Sequence, residues 1–501
     1  MTATLVATSL ELDSVEVRSG GRVLVSVPQL RAVPGRPLTI IGESGAGKSL
    51  LAHAAMGTLD PGLTATGTMR LGGSTFDLSS RTSRRGLWGH SLALLPQEPS
   101  LALDPTMRVL PQVAEGAPLA DRHVARTSAA ALLGSLGLTD VGQHWPHTLS
   151  GGMAQRVSYA AATIPEPGVL LVDEPSKGLD ARSLDLLAEL LLRHSRAGGV
   201  LVTITHDLEL ARRLGGDVAV MKDAKVIETG AIDDVLGRPA HEHTRRLVGA
   251  DPALWPARAG GPQAVEAPPS SGVTALISLE QVGVVLGGRP VLSGVDLSVG
   301  QGERWALVGP SGAGKTTLGN VLAGVQPVDV GRVVRHASLR PGQVAKLYQD
   351  PQASFPAKVP LVAGLRDVAR RFGADWTRVT GLLDEVGVPA DLLDRRPGQV
   401  SGGELQRIAI VRSMLPSPRL VIADEATSRL DLLTQQTTVR ALLTEIDASG
   451  SALVLVTHDR ALARACTDHV LDLTPRAILG GRDQRTRPSE RFTEVAGWPS
   501  P

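Results

Sequence analysis

The sequence predicts two α/β domains in tandem, each built on a mostly parallel sheet, and three observations carry that prediction. A glycine-rich loop of the form G-x-x-x-x-G-K-[ST] occurs twice, as Gly42-Glu43-Ser44-Gly45-Ala46-Gly47-Lys48-Ser49 and as Gly309-Pro310-Ser311-Gly312-Ala313-Gly314-Lys315-Thr316. Each copy is followed by a glutamine, a Ser-Gly-Gly triplet, an Asp-Glu pair and a histidine, in the same order. Ser150 to Ser401 and Asp173 to Asp424 are both 251 residues apart, and Gln97 to Gln349 and His206 to His458 are both 252. Short apolar runs precede the motifs, as buried parallel strands would. The chain is an internal duplication.

Each half opens with alternating β-type segments, Leu10 to Val17 and Ile277 to Leu286. The apolar runs Pro37-Leu38-Thr39-Ile40-Ile41 and Arg304-Trp305-Ala306-Leu307-Val308 then lead into the glycine loops as buried strands, and a helix-compatible stretch follows each lysine. Strand, loop and helix together make a βα phosphate site. Later runs, Gly168 to Val172 and Val200 to Ile204, then Leu420 to Ala423 and Ala452 to Val456, suit central strands of the same sheets. Residues 8–250 form the first domain and 274–478 the second. Between them, 251–273 has the Pro/Gly/Ala composition of a linker, and 479–501 reads as a polar tail with Arg482, Arg485, Arg487 and Arg491.

The composition agrees and narrows the function. A chain of 501 residues suits two large domains. Lys plus Arg at 51 against Asp plus Glu at 50 leaves a formal charge of +1, so no basic field points to nucleic acid. Cys466 is the only cysteine, which excludes an intramolecular disulfide and a four-cysteine metal site, and fits a reducing compartment. No run approaches the roughly 20 apolar residues that cross a bilayer. A cytosolic protein, touching a membrane only through a partner, is expected.

The repeated residues have a shared chemistry. In the loops, small residues let successive backbone N–H groups converge on phosphate oxygens, and the following helix aims its positive end at the same charge. Gly42, Ser44, Gly45, Ala46, Gly47 and Lys48, with Gly309, Ser311, Gly312, Ala313, Gly314 and Lys315, would hold the phosphates, and Ser49 and Thr316 would ligate Mg²⁺. The strands ending in Asp173-Glu174 and Asp424-Glu425 offer a first acid for the metal and a second as general base. Acids that merely cap a strand are the plain alternative, and the duplication weighs against it. His206 and His458 follow the next strands, at the carboxyl edge where ligands bind in open α/β sheets, and a γ-phosphate contact is favoured over a structural role. Ser150-Gly151-Gly152 and Ser401-Gly402-Gly403 each precede a helix and make a second anion site. A spare cradle is explained if it closes over a nucleotide bound to the other half.

Taken together, Walker A loop, glutamine loop, Ser-Gly-Gly signature, Walker B acids, the segments Ser176-Lys177-Gly178-Leu179-Asp180 and Ser428-Arg429-Leu430-Asp431, and the histidines resemble a tandem ATP-binding cassette (ABC) ATPase over residues 8 to 475. The resemblance implies two P-loop NTPase folds, each with an antiparallel β subdomain and a helical subdomain. It implies ATP and Mg²⁺ as ligands, with Gln97 and Gln349 touching both nucleotide and metal. It also implies head-to-tail pairing: Lys48, Ser49, Gln97, Asp173, Glu174 and His206 would share one ATP with Ser401 to Glu404. The other would lie between Lys315, Thr316, Gln349, Asp424, Glu425, His458 and Ser150 to Met153.

Gln97-Glu98-Pro99-Ser100-Leu101-Ala102-Leu103-Asp104-Pro105, partly echoed by Gln349 to Pro356, is similar to the glutamine-loop region of oligopeptide, dipeptide and nickel importer ATPases. Pro239 to Arg245 resembles their His-Pro-Tyr-Thr-Arg segment but departs at Glu242 and His243. That subfamily implies import of peptides, nickel or a related small solute at the cytoplasmic membrane face, with integral permease subunits and an extracytoplasmic solute-binding protein. Two rivals remain: transport of another cargo such as a vitamin, sugar or exported drug, and a soluble ABC protein acting on ribosomes or DNA. The short, weakly charged linker disfavours the second rival. Arg18 and Leu286 stand where relatives stack adenine on an aromatic ring, so base selectivity is expected to be weak. Arg81, Arg84 and Arg85 read as a solvated surface insertion, His144, His147, His241 and His243 as surface or loop histidines, and Cys466 as a small packed side chain.

Overall fold

The computed structural model describes residues 9–98, 102–118, 121–176, 179, 181–258, 263–264, 275–340, 342–428 and 430–474. Pro99 to Leu101, Lys177, Gly178, Asp180, Arg429, most of the predicted linker and the arginine-bearing tail lie outside them.

In the first half the apolar runs become Leu38–Gly42, Val169–Asp173 and Val200–Ile204, each buried throughout because both sheet faces are covered. They lie parallel with Asp217–Lys222 and Leu92–Leu95, the strand Leu38–Gly42 sitting between Asp217–Lys222 and Val200–Ile204. Antiparallel strands extend the same sheet to ten, in spatial order Ser74–Asp77, Leu63–Leu71, Leu10–Ser19, Arg22–Ala32, Lys225–Ala231 and then the parallel core. Leu10–Ser19 alternates in burial on either side of Ser14, where a positive φ and a shift in register against Leu63–Leu71 break the pattern.

The second half repeats the plan in two sheets. One is a six-stranded parallel sheet, in which Arg304–Val308 lies between His469–Asp472 and Ala452–Val456, followed by Leu420–Asp424 and Val344–Leu347. The other is the antiparallel trio Arg289–Gly300, Ala275–Leu286 and Val330–Arg335.

Between the glutamine and the Ser-Gly-Gly of each half lies a helical region: Val109–Glu115 and Arg122–Ser135 in the first, Leu361–Phe372 and Trp376–Glu385 in the second. Its apolar faces pack on the same side of the sheet as the helix after Ser-Gly-Gly. Val109, Val113, Ala129, Leu133, Val157 and Ala160 share one core in the first half. Leu361, Leu365, Val379, Leu382, Ile408 and Val411 share another in the second. This is the predicted α/β architecture, with parallel core, antiparallel β part and helical part in both copies.

The halves touch. Leu432, at the start of the helix Leu432–Ser449, is buried in one apolar cluster with Ile41, Leu208, Val218, Leu247 and Val248 of the first half. Gln436 Nε2 donates to the Gly249 carbonyl at 3.2 Å, and Arg464 Nη2 to that of Ala253 at 3.1 Å. The chain leaving the first half is held as well: Trp255 packs against the second core, and Arg258 pairs with Asp468 at 2.5 Å.

Two bland expectations are corrected. Arg84 is buried, not solvated; its guanidinium donates to the carbonyls of Asp77, Leu78 and Ser80 at 2.8 to 3.2 Å, while Arg81 binds those of Asp60 and Leu63. The cause is an irregular turn whose carbonyls need donors. His243 is buried too, on the helix Glu242–Gly249, with Nδ1 3.5 Å from Glu43 Oε1. Cys466 is packed as expected, and burial pushes its thiol up to about 12.

Candidate functional site

Both glycine loops fold as anion cradles. Gly47 and Gly314 stand before the helices Lys48–Met56 and Lys315–Ala323 at φ 96° and 88°, a left-handed conformation that side chains resist. A Cβ on Gly47 would come within 2.6 Å of the Leu24 carbonyl oxygen. Neither residue offers a side-chain cap, so the helix N-termini point their N–H groups at the loop. Ser44, Gly45, Ser311 and Gly312 are exposed around the cradles, while Ala46 is buried and Ala313 half-buried beneath them.

The lysines are poised at the same sites. Lys48 Nζ donates to the carbonyls of Gly42 and Glu43 at 2.8 and 2.9 Å; Lys315 Nζ does so to Gly309 and Pro310, both at 2.9 Å. Burial lowers the Lys48 ammonium from its ordinary value, against the opposing charges of Glu174, Asp431, Asp173 and Glu43. Asp431 belongs to the other half, so the second half presents a carboxylate to the first P-loop.

Ser49 Oγ donates to Asp173 Oδ1 at 3.0 Å, and Thr316 Oγ1 to Asp424 Oδ1 at 3.0 Å. A hydroxyl and a buried carboxylate beside a phosphate cradle are the hard oxygen donors that Mg²⁺ takes, so the residues fit the ion. The second half adds a group the first lacks. Lys346 Nζ lies 3.0 Å from Asp424 Oδ2, both side chains nearly enclosed.

The next residue of each pair, Glu174 or Glu425, has φ 45° or 46°, a strained conformation for a side-chain-bearing residue. Its backbone N–H is tied across the sheet, to Ile204 O at 2.8 Å or Val456 O at 3.0 Å. In the first half Glu174 Oε2 meets His206 Nδ1 at 2.7 Å, and Glu174 Oε1 lies 3.9 Å from Lys48 Nζ. Burial opposes charge on both, yet their contact prevails: it raises His206 and lowers Glu174. In the second half His458 Nδ1 is 3.4 Å from Glu425 Oε1, while Gln349 Nε2 donates to Glu425 Oε2 at 3.0 Å. Gln97, its counterpart, is exposed.

Ser150 and Ser401 cap the helices Gly151–Thr163 and Gly402–Met414. Their hydroxyls accept from Met153 N at 3.4 Å and Glu404 N at 3.3 Å, and Ser401 Oγ also donates to Glu404 Oε2 at 2.8 Å. Gly151 and Gly402 are the first residues of those helices, and Gly152 and Gly403 the next.

The cradle of the second half opens into a cavity of about 400 Å³ with Ser311, Gly312, Lys315, Thr316, Gln349, Glu425 and His458 on its wall. Gly152 of the first signature lines a separate groove, beside Gln155, Arg156 and Ser183. Between the halves lies a third cavity of about 540 Å³, into which His206, Glu425 and His458 all reach. The structure thus gathers each half's lysine, hydroxyl, acids and histidine, and leaves the second P-loop and the first signature on separate cavities.

Arg18 Nη2 is held on Glu16 Oε2 at 2.8 Å, while Leu286 is 43% exposed, so neither offers an aromatic face to a base. Sequence reasoning missed Lys346, although a lysine in the otherwise apolar strand Val344–Leu347 was the available signal. It also missed the reach of Asp431 and the burial of His243, which depend on packing between distant segments.

The chain matches the ABC transporter family over residues 27–177 and 292–428, one match in each half. It is 31% identical to the peptidoglycan transport ATP-binding protein YejF of Agrobacterium fabrum, covering 91% of this chain and 89% of that one. It is 30% identical to the glutathione import ATP-binding protein GsiA of Escherichia coli K12, with 87% and 79% covered. Among solved structures, an RNase-L inhibitor superposes with a TM-score of 0.65 at 21% identity, covering 91% of this chain and 87% of that one. An archaeal ribosome recycling factor, solved with a ribosomal stalk protein, gives 0.63 at 21%, covering 90% and 85%. At that identity the structures speak to fold alone. With both halves matched and relatives aligned across nearly the whole length, the chain belongs to the ABC transporter family, as an ATP-binding ATPase with two cassettes in one polypeptide.

Proposed function

We propose that the chain is the energy-supplying subunit of an importer for peptides, nickel or a related small solute, acting at the cytoplasmic membrane face. It would work beneath separate integral permease subunits and with an extracytoplasmic solute-binding protein. The observation that carries this reading is similarity, over most of both chains, to a transport and an import ATP-binding protein in a chain that keeps a full set of nucleotide residues in both halves. The names of those relatives specify peptidoglycan and glutathione, both peptide-containing cargoes. No described helix is long and apolar enough to cross a membrane, which fits a partner supplying the channel.

In this reading each ATP is clasped between the P-loop of one half and the Ser-Gly-Gly segment of the other. Lys48 and Lys315 exchange their loop carbonyls for phosphate oxygens. Mg²⁺, held by Ser49 with Asp173 and by Thr316 with Asp424, would neutralise phosphate charge. Glu174 and Glu425 take the proton of the attacking water, and His206 and His458 orient those carboxylates and reach the outer phosphate. Binding closes the halves and hydrolysis removes the bridging contacts. A swing from mostly open to mostly closed takes about 5.5 kcal/mol of differential affinity, within reach of two shared nucleotides. The glutamine loops would pass that closure to the permease.

Affinity purification from detergent-solubilised membranes of the native cell tests the assignment. Multispanning permeases should accompany the chain, and solute-loaded binding protein should raise ATP turnover. Recovery with ribosomal particles or DNA, and without permeases, would overturn it.

A further inference from the structure

The two phosphate sites share a plan and differ in the side chains beside the Asp-Glu strand, Lys346 with Asn320 in the second half against Leu94 with His53 in the first. In each half the strand leading to the glutamine lies parallel to the strand ending in Asp-Glu, and Leu94 opposite Leu171 occupies the same rung as Lys346 opposite Ile422. Leu94 packs on the first core. Lys346, 8% exposed, turns its ammonium to Asp424 Oδ2 at 3.0 Å, donates to Asn320 Oδ1, and sits 5.1 Å from the Tyr348 ring centroid. Asn320 follows the P-loop lysine by five residues, where the first half has His53.

Asp424 therefore has both oxygens engaged, one by the Thr316 hydroxyl and one by a fixed ammonium. Asp173 in the first half takes the Ser49 hydroxyl, with a leucine where the ammonium would be. An ammonium shut in beside one carboxylate does not leave it readily, because an uncompensated buried charge is expensive. Its effect on the site has two signs. A divalent cation approaching Asp424 meets a carboxylate already neutralised and a positive charge a few ångströms away, and such charges interact strongly where water is scarce. Metal-free ATP carries more negative charge than its magnesium complex and gains from the same ammonium.

We propose that Lys346 is a built-in cation of the second site, which therefore binds nucleotide with little dependence on divalent metal and hydrolyses it more slowly than the first. This rests on the ATPase reading of both cassettes.

The test uses the full chain with the first P-loop silenced by Lys48→Ala and a fluorescent ATP analogue as probe. Affinity is measured in excess chelator and in saturating magnesium. The two values are expected to agree within about threefold, and Lys346→Met to weaken the chelator value about tenfold or more relative to the magnesium value. Lys346→Arg, which keeps the charge, should restore near-equality and supports the proposal if Lys346→Met proves unstable. Chelator affinity about tenfold or more below the magnesium value in the Lys48→Ala parent would overturn the proposal without any further variant, as would an unchanged ratio in Lys346→Met. Failure to bind nucleotide under both conditions would instead sink the nucleotide role of the second cassette.

Discussion

Glu174 and Glu425 are the residues on which turnover should depend, and the backbone gives the reason. Each holds a left-handed φ at the end of a buried strand, a conformation that costs about 1–3 kcal/mol and persists only where the surroundings enforce it. The enforcement is visible in the ladder bond from each backbone N–H to Ile204 or Val456 and in the histidine against each carboxylate. Replacing both carboxylates by amides keeps the shape of the side chain but removes the base. Glu174→Gln with Glu425→Gln should therefore retain ATP binding while lowering turnover by about 10² or more, read as phosphate release at saturating ATP. Unchanged turnover would remove both residues from that role. These acids, with the lysines and hydroxyls around them, were legible in the sequence because phosphate chemistry dictates both residue type and spacing. Lys346 and Arg84 were not. Asp424 lies on another strand and reaches Lys346 only through the fold, whereas the carbonyls of Asp77 and Ser80, seven and four residues before Arg84, face it only because the turn between them is irregular.

Elements were legible where one physical signal dominated. The runs buried on both faces became parallel strands nearly residue for residue, and helices follow the Ser-Gly-Gly segments as expected, with Ser150 and Ser401 as their caps; Asp207 and Asp459 cap the helices after the histidines in the same way. What single elements cannot reveal is how two helices share a buried charge. Glu445, on the helix Leu432–Ser449, is buried toward the second helical region, with Arg378 Nη2 at 3.7 Å. Burial first, and then the hydrogen bond and charge of Glu385, push its carboxyl up to about 7. Below its ordinary value the group is neutral in the folded and the unfolded chain and has no effect. From there to about 7 the unfolded chain loses its proton while the folded one keeps it, so this group subtracts stability progressively and fully above that pH. Glu445→Gln should therefore raise the melting temperature of the second half more at about pH 8 than at about pH 5. An equal change at both would show that the carboxyl titrates normally.

At the scale of the molecule, two copies of one fold meet around a single buried apolar side chain of the second half. Leu432 enters the apolar cluster of Ile41, Leu208, Val218, Leu247 and Val248, while its neighbour Asp431 bears on Glu43 and Lys48 of the opposite P-loop. The duplication made two domains readable but not their docking, since Leu432 and the residues it meets, Ile41, Leu208, Val218, Leu247 and Val248, lie far apart in the chain. Leu432→Asp separates these contributions. Asp431 caps this helix, so Leu432 occupies its first turn, where an acid suits the helix dipole and the second cassette should fold as before. Against the first half the same carboxylate replaces a buried apolar contact, a loss of about 2–5 kcal/mol by analogy with large-to-small core changes, and adds repulsion toward Glu43. Calorimetry should then resolve two unfolding transitions where the parent shows coupled melting, and ATP should stabilise each half separately instead of drawing both upward together. A single transition at the parent's temperature, still raised as a unit by ATP, would mean that the halves communicate through some surface other than the one around Leu432.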